Sequence, residues 1–123
     1  MNNNKTKTIN AKEVVDYDLE EGGFYSITFL SENNGYFSLC RDFDEEDEKI
    51  YFEIDEQCNA LYTFPKDVTY KLDNGVIEFL FKEIELEAIF ENRIIVNFPI
   101  VPQEQFNMIK KTLDNIWENE NEN

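Results

Sequence analysis

The chain has 123 residues, the size of one domain with one hydrophobic core. Hydrophobic residues make up 41% of it, with 11 Phe, 6 Tyr and one Trp, which argues against a disordered chain. The formal net charge is −16, which argues against nucleic acid and anionic lipid as partners, because their phosphates attract Lys and Arg. A basic protein is the natural charged partner.

Residues 1–7, MNNNKTK, read as a polar, disordered tail with no signal-peptide pattern. Residues 8–16 carry Ile9, Ala11, Val14 and Val15 and predict a first strand with a bulge where the alternation slips. Asp18 to Gly23 reads as a turn. Phe24 to Leu30 predicts a strand with Tyr25, Ile27 and Phe29 on one face. The SENNG stretch, Ser31 to Gly35, is a hairpin signal, so Gly35 to Arg41 should return antiparallel with Phe37 and Leu39 inward. Asp42 to Lys49 fits a short helical turn or an open acidic loop. From Lys49 to Asp55, Ile50, Phe52 and Ile54 alternate with Tyr51, Glu53 and Asp55, one set per sheet face. Leu61 to Phe64 and Val68 to Leu72 predict two short strands broken by Pro65, which marks an edge or bend. Asp73-Asn74-Gly75 is a second hairpin turn, with Val76 to Phe81 pairing back. Glu83 to Phe90 alternates like a strand but is rich in helix formers, and is taken as a helical turn or irregular connection. Arg93 to Phe98 predicts a last strand. Pro102 suits a helix start, and Phe106, Ile109, Leu113, Ile116 and Trp117 form one apolar stripe after it. Residues 119–123 continue the ENENEN tail, expected to be disordered and acidic.

The expected architecture is therefore α+β: a single domain over residues 8–118, with a mostly antiparallel sheet of six to eight strands. A C-terminal helix packs on one face. No apolar run approaches the ~20 residues needed to span a bilayer. The two cysteines, Cys40 and Cys58, read as reduced thiols rather than a disulfide framework. Together with the missing signal peptide, these point to the cytoplasm.

Chemistry is sparse. Without histidine, Ser-His and Cys-His nucleophilic schemes are absent, and no glycine-rich phosphate loop is visible. Glu53 and Asp55 would face the same way on a strand, but a small one-sheet domain seldom forms the sugar cleft that a paired-carboxylate glycosidase needs. Asp42, Asp44, Glu46 and Glu53 fall at positions 1, 3, 5 and 12 of a calcium-loop count. Asp47 replaces the required glycine, Lys49 takes the apolar position, and the flanks read as strands, so that site is rejected. No catalytic residue, cofactor or metal is expected.

What remains is binding. Nine of the 27 acids fall between Asp42 and Glu56, against one base, Lys49. The candidate partner-binding residues are Tyr51, Glu53, Asp55, Gln57 and Tyr62 on the sheet face, with Asp42, Asp44, Glu45, Glu46 and Glu48 in the loop beside them. Tyrosine is a rigid anchor at home in both wet and dry surroundings. The plain alternative is a solvated sheet face with ordinary cross-strand pairs. Arg41 is expected to pair with an acid.

This order of features resembles the immunity protein 10 family of bacterial polymorphic toxin systems. The matching residues are Leu39 and Arg41, then Tyr51, Glu53, Asp55, Gln57 and Tyr62, and the helix Phe106 to Trp117, over roughly residues 9–118. Cys40 and Glu56 stand where the family pattern has a Gln and an acid. The resemblance implies an α+β protein that binds and neutralises a cognate toxin as a monomer or weak dimer. An acidic adaptor or assembly domain is the competing function.

Overall fold

The computed structural model describes residues 6–15, 20–21, 24–32, 35–42, 49–54, 59–82 and 92–117, with backbone alone for residues 20–21 and 59–60. Its strands are β1 (Thr6–Val15), β2 (Glu20–Glu21), β3 (Phe24–Ser31), β4 (Tyr36–Asp42), β5 (Ile50–Ile54), β6 (Asn59–Thr63), β7 (Val68–Asp73), β8 (Val76–Phe81) and β9 (Arg93–Asn97). One helix, α1 (Gln103–Trp117), follows them. The sheet runs β6-β5-β4-β3-β1-β9-β8-β7, with the two-residue β2 pairing the start of β3. Every described pair is antiparallel except β1 with β9. The fold is the α+β arrangement expected, with one helix packed on one sheet face.

β1 organises the sheet by changing partner. Thr6–Asn10 pair in parallel with Arg93–Asn97, while Ala11–Val15 pair antiparallel with β3. The register slips between Ala11 and Glu13, at the bulge that the broken alternation predicted. A bulge bends its strand and interrupts pairing, which is the geometry a change of partner needs. Thr6 and Lys7, expected in the frayed tail, are strand residues because β9 pairs with them.

The sheet curls strongly. β4 and β8 stand four places apart in the strand order, about 19 Å in a flat sheet. Yet the rings of Phe37 and Phe79 are 5.4 Å apart, and Phe52 lies 5.8 Å from Phe79 and 5.2 Å from Phe81. The two halves therefore face each other across one aromatic core. Alternation supplies it: Ile27 and Phe29, Phe37 and Leu39, Ile50 and Phe52, Ile77 and Phe79, and Ile94 and Val96 are all fully buried.

Both sheet edges, β6 and β7, flank Pro65, which opens a short 3-10 turn, Pro65–Asp67. An edge is where proline's missing N–H costs least. The second hairpin turns at Gly75, whose φ of 108° is the left-handed geometry glycine adopts freely. Its carbonyl accepts from the Phe98 N–H at 3.0 Å, and the Asn74 side chain both donates to the Val101 carbonyl and accepts from the Val101 N–H. These bonds hold the 98–101 segment and so set where α1 begins. The Pro102 carbonyl accepts from Phe106 N–H, which places the proline at the N-cap, one residue before the expected first turn.

The inner stripe of α1 buries Ile109, Leu113 and Ile116 completely; Phe106 and Trp117 are half-buried. Thr112 is also buried on this face, its hydroxyl donating to the Met108 carbonyl at 2.9 Å. Trp117 lies 4.7 Å from the Tyr70 ring and 6.3 Å from Phe79, and donates to the Val68 carbonyl at 2.9 Å. No described helix is long and apolar enough to cross a membrane. The expectations for the turn at 18–23, the loop at 43–48, Cys58, residues 83–90 and both tails fall wholly or mostly outside the described residues.

Candidate functional site: the outer face of strands β3 to β6

The residues that alternate with the core on β3–β6 meet in rows across the outer face. Antiparallel register puts Ser26, Cys40, Tyr51 and Tyr62 in one row, and Thr28, Ser38, Glu53 and Ala60 in the next. On the other side of the tyrosines, Phe24 stands opposite Asp42. Continued one step, the same register brings Lys49 and Phe64 into that row, and the Lys49 ammonium lies 5.2 Å from the Phe64 ring centroid. Asp42 and Lys49 are the two ends of the acidic loop. The loop is thus rooted in an aromatic surface.

Three aromatic side chains make that surface. Tyr51 and Tyr62 are direct cross-strand partners with ring centroids 4.9 Å apart at 58°, a tilted arrangement that aromatic pairs favour. Tyr62 is 57% exposed and Phe64 40%, values that leave broad apolar area open to a partner. The Lys66 ammonium also lies near the Phe64 ring, 5.8 Å from its centroid. Two ammonium groups near one ring hold it by cation–π attraction.

Glu53 is held by hydroxyls on both oxygens. Tyr36 donates to Oε2 at 2.5 Å from β4, and Tyr51 donates to Oε1 at 3.1 Å from two residues away on the same strand. Burial, then the hydrogen bond and charge of Glu53, push the Tyr51 hydroxyl from 10.0 to about 12. Burial likewise raises the Cys40 thiol from 9.0 to about 11, with the Glu53 and Asp42 carboxylates adding to it. At neutral pH both groups keep their protons. Tyr51 therefore remains a donor to Glu53, and Cys40 is a free thiol with little thiolate character. The arrangement offers an oriented carboxylate beside exposed rings.

Of the ten residues expected in the site, the structure brings Tyr51, Glu53 and Tyr62 together and places Asp42 at the loop's root. Asp55, Gln57, Asp44, Glu45, Glu46 and Glu48 lie outside the described residues. Arg41 points the other way. It is 4% exposed, on the core side of β4, and its Nη1 donates to the Ile116 carbonyl at 2.9 Å in the last turn of α1. That turn has no basic residue of its own, so β4 supplies the cation that complements the helix C-terminus.

Tyr36, Phe64 and Phe24 were not singled out from the sequence. Alternation alone would have turned Tyr36 outward against Phe37, and Phe64 outward with Tyr62. Their proximity to Glu53 and Lys49 depends on cross-strand register, which no local pattern carries. No family model, curated protein or solved structure matches this chain.

Proposed function

We propose that this protein is a non-catalytic binder that neutralises a partner toxin, as the likeness to the immunity protein 10 family implies, and that it docks through the outer face of β3–β6. The observation that carries the reading is the exposed pair Tyr62 and Phe64 on the sheet face that also holds a carboxylate gripped by Tyr36 and Tyr51. Exposed rings near the centre of a contact provide most of the energy in protein interfaces. The net charge of −16 supports a basic partner, drawn in at long range.

The test is co-expression with any large secreted protein found to be encoded beside this gene. One variant reverses Glu45, Glu46 and Glu48 to Lys, and a second carries Tyr62→Ala, each first shown to be folded. The loop variant should slow association and weaken its salt dependence, whereas Tyr62→Ala should speed dissociation. Unchanged binding and unchanged rescue of toxin-expressing cells in both variants would move the interface elsewhere. If no such toxin is encoded nearby, the acidic adaptor reading replaces immunity. Either way, the purified protein is expected to show no turnover of nuclease, phosphatase, glycosidase or esterase substrates.

A further inference from the structure

Where β1 leaves β3, half of the strand has no described neighbour on that side. Thr6–Asn10 pair with β9 on one side. On the other side the last partner is Ser31, opposite Ala11; beyond it the chain turns through the hairpin into β4, and no described strand runs along Thr6–Asn10. A cleft of about 500 Å³ occupies this place, lined by Lys7–Ala11, the hairpin residues Ser31, Glu32 and Tyr36, and Ile54 at the end of β5. Five residues of strand edge unpaired among the described residues extend about 17 Å, a row of alternating N–H and C=O groups. The complement to such a row is another extended backbone.

We propose that the edge of β1 from Thr6 to Asn10 captures an extended segment of a basic partner protein by strand addition. The proposal rests on the reading of this protein as a binder and adds where the partner's backbone is held. Lys7, Ile9 and Ala11 share the less exposed side of the strand, and Ile54 closes the cleft from β5. Alternate side chains of the captured segment therefore meet Ile9, Ala11 and Ile54 and should themselves be apolar. Lys7 and Glu32 offset each other in the cleft, so the sign of the partner is set by the field of a chain carrying −16. Tyr36 joins this cleft to the outer-face patch, since the residue that lines the cleft donates its hydroxyl to Glu53. One partner can lie across both.

The probe is an acetylated, amidated octapeptide of alternating Val and Lys, titrated into the full-length protein. Two further peptides carry N-methyl groups on all the Val or on all the Lys. Successive N–H groups of a strand point to opposite edges, so strand addition uses only one of the two sets. One methylated peptide should bind at least tenfold more weakly, and the other should match the parent. Exchange at the Thr6–Asn10 amides not bonded to β9 should slow when the parent peptide binds. Binding in Tyr62→Ala should be unchanged. Equal binding of all three peptides would show charge attraction alone and overturn the proposal. So would no binding, protection of those amides in the free protein, or loss of binding in Tyr62→Ala. The toxin reading falls by its own test, rescue of toxin-expressing cells, which this titration does not enter.

Discussion

On the outer face of β7–β9, Glu78 pairs with Arg93 and stands opposite Lys71, while the Asn97 amide donates to Asn10. On the outer face of β3–β6 the same alternation presents Tyr51, Tyr62, Phe64 and Phe24, together with Glu53, whose described hydrogen-bond donors are tyrosine hydroxyls. Both half-sheets bury equivalent inner faces in one core. The difference therefore lies only in what the outward residues do. In β7–β9 the charged and amide side chains pair across strands, and the large exposed apolar side chain among them is the aliphatic Leu80. In β3–β6 the outward residues leave ring faces open. A large open aromatic area has a cost in water that mutual charge pairing avoids, and a partner surface offsets it.

The comparison depends on the halves sharing a core, and the largest predicted effect tests that. Phe52→Ala on β5 and Phe79→Ala on β8 should each cost about 3–5 kcal/mol, because each empties a fully buried ring site. Denaturant unfolding should stay a single transition in both. Separate transitions would divide the sheet into two units. Next in size is Arg41→Met, which removes a buried, charged donor to the last turn of α1 and should cost about 1.5–3 kcal/mol in the same melts. Exchange at the C-terminal turn of α1 should rise with it.

The outer faces are compared directly by two smaller changes. Tyr62→Ala should leave stability nearly unchanged and weaken partner binding by about 2 kcal/mol, read from dissociation rates. Glu78→Gln on the other face should alter stability by less than about 1 kcal/mol, since Arg93 is largely exposed, and leave partner binding untouched. Equal effects on binding would erase the distinction between the faces.

The smallest effect is in alkali. Tyr51 in the folded protein holds its proton to about 12, whereas in the unfolded chain it releases it near 10.0. Between those values the unfolded state binds fewer protons, so stability falls as pH rises. Tyr51→Phe should flatten that part of the curve. Cys40 adds a similar fall between 9.0 and about 11. Its alkylation at pH 8, followed by mass spectrometry of its own peptide, should run roughly 10–100-fold slower than that of an unfolded thiol.

Period-2 alternation, two turns containing Asn-Gly and a 3.6-residue stripe were enough to read the hairpins, the helix and the described strands other than β2, which lies where the sequence read a turn. They were enough because each is a local rule: a strand's two faces, a turn's backbone geometry and a helix's buried side are set by residues within a few positions. They also placed Tyr51, Glu53 and Tyr62 on the outward face. Beyond the two hairpins, only the tertiary structure decided which strands became neighbours. β1 and β9 pair in parallel across more than eighty residues of chain, and the curl brings Phe37 onto Phe79. Arg41 is turned inward by its strand, 75 residues along the chain from the helix carbonyl it binds. Tyr36 joined the site for the same reason: a hydroxyl seventeen residues from Glu53 reaches it only once β4 and β5 lie side by side. Long-range register is chosen by which apolar faces can be buried together. That choice is made by the whole core at once, so no single stretch of the chain contains it.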